Sequence, residues 1–134
     1  MRMEMLKSKL FRAAVTDANV DYEGSLGIDS ALMEAVGLYP YEKILVADLS
    51  NGERFETYAM EEPAGSRRIV LNGGSALKGK VGDRVIIMSF AYIEENVVRD
   101  GRYVPRILRL NERNMPVDDD GRKLSSQQLA SMNQ

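Results

Sequence analysis

The sequence contains neither cysteine nor histidine. Disulfides, thiolate nucleophiles and the usual zinc ligand sets are therefore excluded, and any catalysis must run without an imidazole. No stretch approaches the roughly 18 consecutive apolar residues that a membrane-spanning helix needs, so no membrane span is expected. A basic excess is missing too. Lys and Arg number 18 against 20 Asp and Glu, a formal charge of -2, which leaves nothing to neutralise nucleic-acid phosphates. The opening Met1-Arg2-Met3-Glu4 is charged, and Lys7, Lys9 and Arg12 interrupt the apolar residues after it. No targeting core is read there, and a cytoplasmic location is expected.

What is present suits one domain over residues 1–134, long enough to bury a core but short of two ordinary domains. Residues 5–15 are ambiguous: Leu6, Leu10 and Ala14 have helical spacing, while Leu10, Arg12 and Ala14 fit a strand face equally well. Val20-Asp21-Tyr22 reads as a short extended segment running into Gly24. Asp29 suits the N-cap of a helix over 30–36, with Leu32, Met33 and Val36 inside, Gly37 closing it and Pro40 preventing continuation. Residues 43–49 read as a strand, and Ser50-Asn51-Gly52 is the strongest hairpin signal in the chain.

On the returning strand, 54–60, alternation puts Arg54, Glu56, Tyr58 and Met60 on one face and Phe55, Thr57 and Ala59 on the other. Arg54 and Tyr58 can thus reach one pocket. Residues 61–66 read as a loop, 69–71 as a short strand and 84–92 as a buried strand. Asn72-Gly73-Gly74-Ser75 places two glycines in succession, which lets backbone N–H groups converge on a small anion or carbonyl. Residues 104–110 suit a further strand, at an edge or against another subunit. Asp118-Asp119-Asp120-Gly121 is an acidic turn, and 118–134 reads as a flexible tail, frayed or weakly helical from Lys123. Short strands between glycine turns predict a mainly β fold, a small barrel with short helices.

One dipeptide invites chemistry. Gly24-Ser25 can be an ordinary turn. If the bond is bent so that the Ser25 hydroxyl faces the Gly24 carbonyl, the hydroxyl can attack it and convert the amide to an ester. Elimination of the ester leaves a dehydroalanine, whose hydrolysis releases ammonia and yields an N-terminal pyruvoyl group. Glycine suits the position, since it tolerates unusual dihedrals and leaves its carbonyl open.

The surrounding pattern resembles the aspartate 1-decarboxylase family of pyruvoyl-dependent enzymes. The likeness runs through Met5-Leu6, Lys9, Val15-Thr16, Tyr22-Glu23-Gly24-Ser25, Ile28-Asp29, Asn51-Gly52, Arg54-Phe55 and Thr57-Tyr58-Ala59. It continues through Gly65-Ser66, Asn72-Gly73, Val81-Gly82-Asp83, Ile86-Ile87 and Phe90. The resemblance implies a six-stranded double-psi β-barrel, self-cleavage between Gly24 and Ser25, and a covalent pyruvoyl cofactor made from Ser25. Such a group forms a Schiff base with the amine of L-aspartate and draws off electrons as carbon dioxide leaves, giving β-alanine for pantothenate synthesis.

The same likeness implies the remaining roles. Arg54 would grip the side-chain carboxylate of aspartate with its planar guanidinium, and Tyr58 would return a proton to the carbanion. Thr57 would bind and also assist processing at Gly24. Since alternation sets Thr57 opposite Tyr58, a bulge or a neighbouring subunit is needed to reconcile them. Lys9 would lie near the substrate carboxylate or the pyruvoyl group, and Asn72, Gly73, Gly74 and Ser75 would form the binding turn. A homotetramer with sites between subunits is implied, and the need for an accessory maturation factor stays open.

The chain also departs from the family. Asn72-Gly73-Gly74-Ser75-Ala76 stands where many relatives have Asn-Gly-Ala-Ala-Ala, Phe11 stands where some relatives carry histidine, and Asp17 replaces a frequent histidine. Two other readings keep the fold without the reaction: a β-barrel interaction module that leaves the chain intact, and an unprocessed relative.

Overall fold

The long first strand decides the architecture, because its ambiguous spacing resolves as extended backbone. In the computed structural model, which describes residues 1–131, β1 spans Arg2–Ala14 and turns Ser8 and Leu10 inward while Lys9 and Phe11 face out. It pairs antiparallel with β7 (Arg84–Glu94), with register shifts between Leu6 and Ser8 and between Leu10 and Ala13. At the second shift Arg12 takes a positive φ of 67°. This bulge turns Ala13 into the core after Leu10.

The other strands are β2 (Asp17–Asn19), β3 (Ser25–Asp29), β4 (Lys43–Asp48), β5 (Arg54–Glu62), β6 (Ile69–Asn72), β8 (Arg106–Leu110) and β9 (Pro116–Val117). The nine described strands, three more than the six expected of the barrel, form one hydrogen-bonded order: β2-β6-β3-β5-β4-β7-β1-β8-β9. The fold is mainly β with short helices: α1 (Ser30–Val36), α2 (Glu95–Arg99), α3 (Ser126–Ser131) and a 3-10 helix over Gly73–Leu77. Among the described residues no helix is long and apolar enough to cross a membrane.

Local signals hold where their chemistry is local. Asp29 caps α1 and Gly37 closes it at φ 72°. Asp29 does more than cap: fully buried, it accepts from the N–H groups of Ala31 at 2.9 Å, Gly65 at 3.0 Å and Arg67 at 2.8 Å. One carboxylate thus ties α1 to the 65–67 turn, each such charged bond being worth about 1.5–3 kcal/mol. The β4–β5 hairpin turns at the expected place, with Gly52 N–H donating to the Asp48 carbonyl at 2.9 Å.

Three expectations are corrected. Residues 20–22 are a turn, because the Asn19 side chain accepts from Asp21 N–H at 3.1 Å and folds the chain back. The extended piece lies just before it, in β2. Strand β5 continues to Glu62, so the loop is shorter than 61–66. Strand β8 is not an edge; it lies between β1 and β9. In the tail, Leu124 N–H donates to the Pro116 carbonyl at 3.0 Å, and Leu124 and Leu129 pack against the core. The last residues of the expected tail, 132–134, lie outside the described residues.

The core gathers Leu10, Leu26, Ile28, Val46, Ile69, Leu71 and Ile87 from strands of both halves of the sheet order, with Leu32 and Val36 from α1. Beneath it, Asp48 and Asp83 are buried together, at 2% and 4% exposure. Asp48 Oδ2 has no donor aimed at it. A proton on Asp48, shared with Asp83, resolves this: burial and then the Asp83 carboxylate push the Asp48 carboxyl up to about 6, while the bond from Asp48 holds Asp83 below the ordinary range.

The raised carboxyl sets a sign. Between about pH 4 and 6 the unfolded chain releases the Asp48 proton while the folded chain keeps it, so this group's contribution to stability falls as pH rises through that window. Asp48→Asn keeps a neutral donor there. Its melting temperature relative to the parent should therefore rise between pH 4.5 and 7.5; parallel melting curves would refute the shared proton.

Candidate active site

Ser25 opens β3, a strand buried along its whole length. It pairs directly with Asn72 at the end of β6, and Asn72 Nδ2 donates to Ser25 Oγ at 3.2 Å. Both residues are buried, at 3% and 6% exposure. The hydroxyl oxygen is therefore fixed by an uncharged donor, while its own proton stays free to leave.

Gly73 follows at φ 62°. A Cβ there would stand 2.8 Å from the Tyr22 carbonyl oxygen and 2.9 Å from both Cα and N of Gly24. Only a glycine lets this backbone lie against the Tyr22–Gly24 segment. Gly74 differs, since a Cβ there would meet nothing within 4 Å and its φ is not left-handed. The 3-10 helix continues past it, with Ser75 buried and its carbonyl accepting from Lys78 N–H at 3.0 Å. The paired glycines are thus unequal: Gly73 is a packing requirement and Gly74 is not.

Strand β5 lies on the other side of β3. The parallel ladder begins at Leu26 and Ala59, so the positions just before it are Ser25 and Tyr58, and before those Gly24 and Thr57. Tyr58 is half-buried, its ring stacked on Tyr41 with centroids 6.2 Å apart. Arg54 begins β5, exposed, and among the described residues its side chain has no hydrogen bond or ion pair. The β4–β5 ladder runs unbroken from Lys43 and Tyr58 to Ala47 and Arg54. No bulge turns Thr57 toward the face of Tyr58, so within one chain the two point to opposite sides.

Lys9 stands apart. Its strand is separated from β3 by β7, β4 and β5 in the sheet order. It lines a cavity with Phe11, Ile107, Leu108, Arg109 and Leu124, bounded by Val117, Asp118 and Asp119, which includes none of the residues around Ser25. One chain therefore assembles Gly24, Ser25, Asn72 and Gly73, sets Thr57 and Tyr58 on the neighbouring strand, and leaves Lys9 elsewhere. Tyr22, in the Tyr22-Glu23-Gly24-Ser25 run that the sequence singles out, meets position 73 through its backbone. Tyr41 escaped sequence reasoning as a site neighbour, since it reaches Tyr58 across a hairpin that periodicity cannot see.

The two glycines make a direct comparison. Gly73→Ala should lower the melting temperature by several degrees, since left-handed backbone alone costs about 1 kcal/mol before any collision. It should also prevent cleavage between Gly24 and Ser25 by mass spectrometry. Gly74→Ala should melt at or slightly above the parent and process normally. Equal behaviour of the two variants would contradict the packing described.

Comparison with known proteins gives one consistent answer. The sequence model of the aspartate decarboxylase family matches residues 1–117. The aspartate 1-decarboxylase of Thermosipho africanus is 46% identical over 118 residues, 88% of this chain and 95% of that one. Those of Coprothermobacter proteolyticus and Desulfotalea psychrophila are 55% identical over 94 residues and 47% over 114. They cover 70% and 85% of this chain and 78% and 94% of their own length.

Proposed function

The chain belongs to the aspartate decarboxylase family, and from that premise we propose that it is an enzyme converting L-aspartate to β-alanine and carbon dioxide in pantothenate biosynthesis. The observation that carries this reading to the residues is the buried Asn72–Ser25 bond beside Gly73 and Gly24. These residues fit a pyruvoyl group made from Ser25. They offer a fixed hydroxyl, a glycine carbonyl before it and a close backbone wall without charge. When formed, that group supplies the electron sink that loss of the α-carboxylate requires.

The chain's own residues do the rest. In processing, Asn72 holds Ser25 Oγ toward Gly24, and Thr57, abreast of Gly24 on β5, offers a hydroxyl to the oxyanion that develops there. In catalysis Tyr58, abreast of Ser25, is the proton donor to the α-carbon. Arg54 is free to take the side-chain carboxylate in a bidentate pair. Asn72 and the 73–75 backbone bind the substrate's polar groups.

Lys9 cannot join this set from its own chain, so a second copy supplies it. A homotetramer with sites between subunits, closed as a six-stranded double-psi barrel in each, is the assembly this reading favours. It also carries a cytoplasmic location, processing of the single 1–134 domain between residues 24 and 25, and room for an accessory factor that speeds cleavage.

Mature protein should show two fragments by denaturing mass spectrometry, the larger beginning with a pyruvoyl group at position 25. Ser25→Ala should remain one chain of 15.0 kDa and release no carbon dioxide from aspartate; full activity in that variant would sink the mechanism. Tyr58→Phe should still cleave but decarboxylate about 100-fold more slowly. An undiminished rate would remove Tyr58 from the proton path.

A further inference from the structure

Residues 39–42 form a tight turn just before β4. The Tyr39 carbonyl accepts from Glu42 N–H at 3.1 Å, with Pro40 and Tyr41 at the two central positions. Proline suits the first of these. The second takes a positive φ, 69° at Tyr41, where such turns ordinarily carry glycine or asparagine. Of the four non-glycine residues described with positive φ, Tyr41 alone is aromatic. A bulky side chain in that conformation is strained and persists only where its surroundings hold it.

The surroundings do hold it. Tyr41 N–H donates to the Ala59 carbonyl at 2.7 Å, and Ala59 N–H donates to the Glu42 carbonyl at 2.9 Å. The Glu42 carboxylate accepts from Tyr39 N–H at 3.1 Å and takes Lys7 Nζ of β1 on both oxygens at 2.8 Å. The turn is thereby fastened to β5 beside Tyr58 and to β1. Burial does not explain the tyrosine, since the residue is 74% exposed. What its ring meets is Tyr58: the centroids lie 6.2 Å apart and the planes 19° from parallel, an offset stack. Among the described residues the Tyr58 hydroxyl has no hydrogen bond to hold it.

We propose that Tyr41 is a positioning residue for Tyr58, and that the Lys7–Glu42 pair is the anchor that keeps its turn in place. A phenol that gives its proton to carbon must present the O–H along one line, and a phenol without a hydrogen bond is aimed only by what confines its ring. A stacked neighbour limits the tilt of that ring while leaving the hydroxyl unbonded. A glycine at position 41 would relax the turn but leave the ring unconfined on that side. That Tyr58 donates a proton rests on the function proposed above; the stack and the strained turn do not.

The test removes the ring without disturbing the backbone. Tyr41→Gly and Tyr41→Asn both tolerate the left-handed turn, so each should melt within about two degrees of the parent or above it. Both should self-cleave as the parent does. Yet kcat for aspartate should fall on the order of ten-fold with KM little changed, and Tyr41→Phe should restore the rate. Lys7→Gln, which frees the Glu42 carboxylate, should lower kcat in the same direction by less. A second readout needs no activity. With fluorotyrosine incorporated, the fluorine resonance of Tyr58, assigned by its absence in Tyr58→Phe, should shift in Tyr41→Gly and stay near the parent position in Tyr41→Phe. An unmoved Tyr58 resonance, or an unchanged kcat, in Tyr41→Gly overturns the positioning role. So does a fall in kcat accompanied by a change of mass in solution, since the ring then belongs to a contact between copies. A shifted resonance in a protein that releases no carbon dioxide from aspartate supports the hold on Tyr58 and defeats the proposed function instead.

Discussion

Everything around the candidate site depends on the contact between Gly73 and the Tyr22–Gly24 segment. A Cβ at position 73 would approach that backbone within 2.9 Å at three atoms, so the two segments lie at the limit of close packing. The adjacent Ser25–Asn72 pair fixes how β3 meets β6. Together they hold a serine hydroxyl in a buried, uncharged setting next to a glycine carbonyl. The self-cleavage proposed above requires such restraint, since the reacting geometry must be populated before chemistry begins.

The placement of charge follows a second logic. Three cations stand at distinct places in the chain: Lys9 and Arg109 share the Phe11 ring on β1 and β8, and Arg54 begins β5 at an exposed position. Each is uncommitted or loosely paired. The unbroken β4–β5 ladder gives Thr57 and Tyr58 opposite faces and so two different neighbourhoods.

How much of this could be read from the sequence depends on the range of each interaction. The Asp29 cap, the Gly37 stop, the Asn51-Gly52 turn and the alternation of Arg54 to Ala59 are set by residues within a few positions, and the sequence predicted them. The two further N–H groups on Asp29 come from 36 and 38 residues away and were not legible. Nor was the Asp48–Asp83 proton, because neither aspartate carries a sign of burial. The Phe11–Arg109 pair joins β1 to a strand some hundred residues later, past Phe90, where the motifs that carry the resemblance end. Residues 20–22 failed for a smaller reason: the apolar pattern suggested extension, but one asparagine side chain was enough to close a turn.

The absence of imidazole and thiol gains its meaning here. An α-carboxylate departs more readily when its charge is poorly solvated, so a cation held at the bond-breaking centre would stabilise the ground state more than the transition state. Ser25 is hydrogen-bonded by an asparagine amide and flanked by a glycine and the buried Leu26, none of which carries charge. On the function proposed above, a cation set apart from Ser25 holds the carboxylate that stays on the molecule without retaining the one that must leave.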